Sequence, residues 1–103
     1  MTVATHVFAV RVPPDHPSLA GHFPDRPMVP GALLLDEICR ALKAWRPDLR
    51  VVGIESFKFS TPLAPAQEAL VALEAVAPTR VQCRCTAGAT TVASGYLRVG
   101  PAP

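Results

Sequence analysis

Apolar residues fall into one helical and five strand-like runs along the chain. Residues 6–12 are rich in β-branched and apolar side chains and end at Pro13-Pro14, which predicts a strand stopped by prolines. From Gly31 to about Arg46 the apolar positions recur with a helical period, with Leu34, Leu35, Ile38, Cys39, Leu42 and Trp45 on one face. Pro47 stops this helix, whose sixteen residues span about 24 Å. Four further strands are predicted over roughly 50–60, 67–77, 79–87 and 90–99. The clearest alternation is Val81-Gln82-Cys83-Arg84-Cys85, which puts both cysteines on one face. The links between the last four strands are short, so successive strands are expected as antiparallel neighbours. One helix lying on one antiparallel sheet is an α+β layer architecture.

Between the first strand and the helix lies a stiff segment. Residues 13–30 hold six of the twelve prolines. Each fixes its own φ and restricts the residue before it, so this loop is a firm platform for a side chain. It contains Gly21-His22-Phe23-Pro24-Asp25-Arg26-Pro27-Met28-Val29-Pro30-Gly31, followed at once by Ala32-Leu33-Leu34-Leu35-Asp36. A base, a backbone N–H at a helix start and an acid thus share one short segment, the set needed to remove a proton beside a carbonyl. Each also has a plain structural reading. His22 would bond a backbone carbonyl and Gly31 would serve a tight turn after Pro30. Asp36 lies roughly 160–200° around the helix from Leu34 and Ile38, a surface position paired with Arg40 at i+4. Glu37 faces Arg40 at i+3 as a solvated pair, and His6 and His16 read as structural and loop residues.

Composition narrows the field. At 103 residues the chain is expected to be a single domain over 1–103, with half its residues hydrophobic. A domain of this length buries about 65% of its unfolded surface, so assembly is a natural source of further stability. A net charge of +2 is too small for a nucleic-acid partner. Arg26, Arg40, Lys43, Arg46 and Arg50 cluster in sequence, as a solvated face or as a docking patch for an acidic protein. No leader pattern and no long apolar run is present, so neither export nor a membrane partner is expected. Cys39, Cys83 and Cys85 lack a second Cys/His pair at ligand spacing, so no metal is expected and the cysteines read as reduced and packed in a cytoplasmic protein.

The loop and helix resemble the active-site signature of the hotdog-fold 3-hydroxyacyl-(acyl-carrier-protein) dehydratases. The matching residues are Gly21-His22-Phe23-Pro24, Pro27, Pro30-Gly31 and Leu35-Asp36, and the compact members tied to aryl-polyene pigments are the most similar. Phe57-Lys58-Phe59 with Pro62 and Pro65 extends the likeness, and Ala93-Ser94-Gly95-Tyr96-Leu97 fits the closing strand, so that it spans residues 5 to 99. The resemblance implies a hotdog fold, a long central helix wrapped by a five-stranded antiparallel sheet. It implies elimination of water from a 3-hydroxyacyl thioester carried by an acyl carrier protein, in fatty-acid or polyene biosynthesis, in a homodimer and without a cofactor.

His22 then matches the general base, Gly31 the oxyanion donor and Asp36 the acid, with His22 of one subunit facing Asp36 of the other. Phe23, Met28, Val29 and Leu33 become candidates for lining the acyl tunnel, or else ordinary core. Two departures stand out: Asp36 stands where most members of one large subgroup have Glu, an Asp resembling instead the subgroup that also isomerises the double bond, and Pro65-Ala66-Gln67 replaces a common Pro-Gly-Asp. A thioesterase of the same fold and a non-catalytic acyl-binding module are the competing readings.

Overall fold

The computed structural model describes residues 5–12, 29 and 31–103. It contains β1 (Thr5–Val10), α1 (Gly31–Trp45), β2 (Leu49–Phe59), β3 (Ala69–Ala77), β4 (Arg80–Ala87) and β5 (Thr90–Pro101). All five strands join one antiparallel sheet in the order β1-β3-β4-β5-β2.

Helix α1 lies against one face of this sheet. Its buried stripe is Leu34, Ile38 and Leu42, spaced at i, i+4 and i+8. Leu35, Cys39 and Trp45, expected on the same face, border the stripe and are only partly covered. The opposing sheet face is built by alternation. Val71 and Leu73 of β3, Val81, Cys83 and Cys85 of β4, and Leu97 and Val99 of β5 are buried in one cluster with the helix. Register explains why they meet: Leu73 pairs with Cys83 and Cys83 with Gly95, while Val81 pairs with Leu97. The two cysteines share the core face, as their spacing requires. At the other end of the helix, the ring of His6 stacks between Phe8 at 6.0 Å and Trp45 at 5.8 Å, pinning β1 to α1.

The expected order of strands needs one correction. β3, β4 and β5 are sequential neighbours, but β2 does not pair with β3; it pairs with β5 at the far edge, and β3 pairs with β1. The connection over residues 60–68 is what carries the chain across. Pro62 and Pro65 have no N–H to donate to a ladder. The neighbouring N–H groups bond elsewhere: Ser60 and Thr61 donate to the Val92 carbonyl at 2.8 and 3.3 Å, and Ala66 donates to Val12 at 2.7 Å. Leu63 anchors the crossing in the core. Ala66 adopts φ 68°, a left-handed conformation, at the position where Pro65-Ala66-Gln67 departs from the family's glycine.

Candidate active site

A cavity of about 180 Å³ opens at the N-terminal end of α1. It is lined by Val29, by Gly31 and Leu34 of the helix, by residues 59–63 and by Val92 of β5. The local sequence explains the shape. β2 ends in Phe57 and Phe59, whose rings sit 5.3 Å apart at 50°. The Phe59 ring lies so close to the helix start that a Cβ on Gly31 would stand 3.0–3.2 Å from three of its carbons. Glycine therefore lets the Phe59 ring lie against the helix start, where a Cβ would make it give by a few tenths of an ångström, and its N–H remains a backbone donor. The Val29 N–H donates to the Leu63 carbonyl at 2.7 Å, tying the loop before the helix to the crossing after β2.

The first N–H groups of a helix have no partner within it, and they carry the positive end of the helix dipole. A carbonyl oxygen placed in this cavity meets that end. A second cavity of about 440 Å³ lies near the other end of α1, between Cys39, Leu42 and Lys43, the start of β2 and Ala102-Pro103. It is the larger, but there the helix presents carbonyl oxygens, which repel a developing oxyanion. Chemistry on a carbonyl belongs at the smaller one.

Of the residues singled out in the sequence, Gly31 and Val29 meet in this cavity. Leu33 packs against the core instead. Asp36 is exposed and does not line the cavity; its carboxylate lies 3.4 Å from the Arg40 guanidinium, which also reaches Glu37 at 3.8 Å. This is the i+4 and i+3 pairing that the spacing predicts. Within one chain, then, the acid and the helix start face different ways. His22, Phe23 and Met28, with His16 and Arg26, lie outside the described residues.

Sequence reasoning passed over Phe59, the crossing around Leu63, and Val92. Aromatic residues beside a pair of prolines were visible, but that they would fold against Gly31 was not.

The cysteines are not candidate nucleophiles. Burial pushes the Cys83 thiol up to about 12, with Cys85 and Cys39 adding to the effect. Burial also raises Cys85, and burial with the nearby Asp36 raises Cys39. A nucleophilic cysteine needs the reverse shift. Among the described residues, no three His, Cys, Asp or Glu side chains gather as a metal site, and no helix is long and apolar enough to cross a membrane.

Residues 2–96 match the model of a family described as ApeI-like, ApeI dehydratase. Three solved structures share the fold. The dehydratase heterocomplex ApeI:P from Xenorhabdus doucetiae aligns with TM-score 0.82 at 22% identity, over 92% of this chain and 86% of that one. The (R)-hydratase from A. caviae involved in PHA biosynthesis aligns with TM-score 0.71 at 20% identity, over 96% of each chain. A probable thioesterase from Bartonella henselae aligns with TM-score 0.70 at 16% identity, over 96% of this chain and 90% of that one. The helix on its five-stranded antiparallel sheet is the hotdog fold.

Proposed function

The chain belongs to the ApeI-like dehydratase family, and from that premise we propose that it removes water from a 3-hydroxyacyl thioester to give the trans-2-enoyl thioester. The observation that carries this reading is the apolar cavity at the positive end of α1 with Gly31 in its wall. In this mechanism His22 takes a proton from C2, for which an imidazole titrating near neutrality is suited. The Gly31 N–H holds the thioester oxygen as negative charge gathers there. The electron pair left at C2 forms the C2–C3 double bond, the C3–O bond breaks, and Asp36 donates a proton to the departing 3-hydroxyl, or orients the water that does, so that hydroxide leaves as water. The elimination is redox-neutral and is assisted only by proton transfers, so the scheme calls for no cofactor.

The position of Asp36 makes a homodimer part of the proposal. A single chain leaves the acid on an exposed face, and a cavity of about 180 Å³ is smaller than the ~300–1,000 Å³ typical of ligand sites. Among the described residues β2 also has no neighbour on its outer side, and it presents Val52 and Ile54, each about half exposed. An edge strand of eleven residues with apolar side chains invites pairing. Pairing through this region would bring Asp36 of one subunit towards His22 of the other and extend the cavity, with Phe23, Met28 and Val29 as the acyl-contacting residues. The acyl group would arrive on the phosphopantetheine arm of an acyl carrier protein. Three free cysteines fit a reducing, cytoplasmic setting.

The test is mass-spectrometric turnover of 3-hydroxyacyl thioesters of carrier protein and coenzyme A, run beside a free-thiol assay. Loss of one water, reduced at least ~10²-fold in a folded His22→Ala variant, is the expected result. Undiminished dehydration in that variant sinks the assignment. The same fold also serves a probable thioesterase, so thiol release without water loss would move the protein to that class. Binding without turnover of either kind would leave an acyl-binding module.

A further inference from the structure

The face of the sheet turned away from α1 carries arginines. In the register of β4 with β5, Arg80 stands opposite Arg98, Gln82 opposite Tyr96 and Arg84 opposite Ser94. Like charges placed directly across two strands destabilise a sheet. Here the two guanidinium groups are held apart by separate seats. Arg80 lies over the Tyr96 ring, its Cζ 3.8 Å from the centroid. Arg98 reaches over Gly53 of β2, where a Cβ would stand 2.8 Å from Nη2, so in this conformation it lies across the space that the missing side chain leaves.

Elsewhere in the molecule Arg11, Arg40 and Arg46 each hold a carboxylate. Among the described residues, Arg80, Arg84 and Arg98 hold none, and the Nε of Arg80 is buried without an acceptor. A stacked guanidinium has lost much of its rotational freedom before any partner arrives, and its planar fork matches a carboxylate.

We propose that this strip, Arg80–Tyr96–Arg98 with Arg84 beside it, is a docking surface for an acidic face of a partner protein. Three features select that occupant. None of these residues lines either cavity described above, and Arg84 and Arg98 are exposed, whereas small ligands need concavity. Glu55 pairs with Tyr96 and Glu74 with Gln82, so carboxylates flank the strip. A continuous phosphate backbone would run into them, and the net charge of +2 gives it little attraction. A second copy whose two-fold axis passed through the strip would set arginine against arginine. The proposal rests on nothing in the dehydratase reading.

The experiment titrates the isotope-labelled full chain with a hexaglutamate peptide at low salt and follows backbone amide shifts. The expected shifts centre on Arg80, Gln82, Tyr96 and Arg98. Affinity should fall at least about fivefold in Arg80→Gln/Arg98→Gln, as expected for loss of two charge-assisted contacts. Tyr96→Phe, which keeps the ring, should retain binding that Tyr96→Leu weakens; a merely structural role would not sort these two. Shifts centred on Arg40, Lys43 and Arg46, equal binding of hexaglutamine, or unchanged affinity in the folded double variant would each overturn the proposal. A change in sedimentation of the free protein in that variant would also overturn it, in favour of a second copy. Dehydration of the coenzyme A thioester should be unaltered throughout, which keeps this test separate from that of the active site.

Discussion

Gly95→Ala is a single methyl group placed where the sheet has no space for one. Gly95 sits on the core face of β5, opposite Cys83, and is covered by Phe57 of β2. A Cβ there would lie 2.6 Å from the Phe57 Cα, 2.7 Å from Cδ2 and 2.9 Å from Cγ. Carbon atoms in contact prefer about 3.5–4.0 Å. The overlap is therefore close to an ångström, and the nearest atom is backbone, which cannot swing aside as a side-chain tip can. The register is already irregular at that point, with a shift between Glu55 and Lys58 and Ser56 at φ 51°. Relief requires β2 to move away from β5.

Overpacking of a core costs about 1–3 kcal/mol, and a backbone contact belongs at the upper end, near 3 kcal/mol. For a domain of this size that is a loss of about 12–24 °C in Tm. Because β2 leads directly into Phe59 and the wall of the cavity, dehydration should fall along with stability. Thermal melts and urea unfolding measure the effect. Gly100→Ala is the control, since its Cβ would meet only Val52 at an ordinary 3.4 Å and its cost should stay within about 0.5 kcal/mol. A Gly95→Ala protein that melts within about 4 °C of the parent, an effect near 1 kcal/mol, would refute the reasoning.

Three further outcomes are expected. Ala66→Gly relieves a left-handed residue at φ 68°; about 1–2 kcal/mol of steric cost less ~0.4–1 kcal/mol of added unfolded-chain entropy leaves a gain of about 0.5–1 kcal/mol, and a lower urea midpoint would contradict it. The Cys83 thiol is raised from 9.0 to about 12, so the fold disfavours its thiolate. Stability is then complete below about pH 9 and falls by about 1.4 kcal/mol per pH unit as pH rises towards 12; urea midpoints over that range should decline less steeply in Cys83→Ala, and an equal slope would sink the assignment. Asp36→Asn should change stability by no more than about 0.5 kcal/mol, because its pair with Arg40 is exposed, yet lower dehydration about 10²-fold; normal turnover would remove Asp36 from the mechanism.

The elements were legible from local pattern. The helix opening at Gly31 and ending at Trp45 before Pro47, the buried stripe of Leu34, Ile38 and Leu42, the pairing of Asp36 with Arg40, and the shared face of Cys83 and Cys85 all follow from spacing within a few residues. Periodicity and proline act over that range, so the chain declares them without reference to the rest of the fold. The histidine–glycine–acid set was equally legible as a chemical motif, and the resemblance it carries is matched by the family to which residues 2–96 belong.

Tertiary structure decided what depends on distant partners. The place of β2 at the far edge, the Phe59 ring against Gly31, the fit of Phe57 onto Gly95 and the stacking of Arg80 on Tyr96 join residues from separate elements. Local alternation states which way a side chain faces but not which strand lies beside it. That choice is made when a nine-residue crossing over residues 60–68, its two prolines unable to pair, sends β3 to β1 and leaves β2 to close against β5.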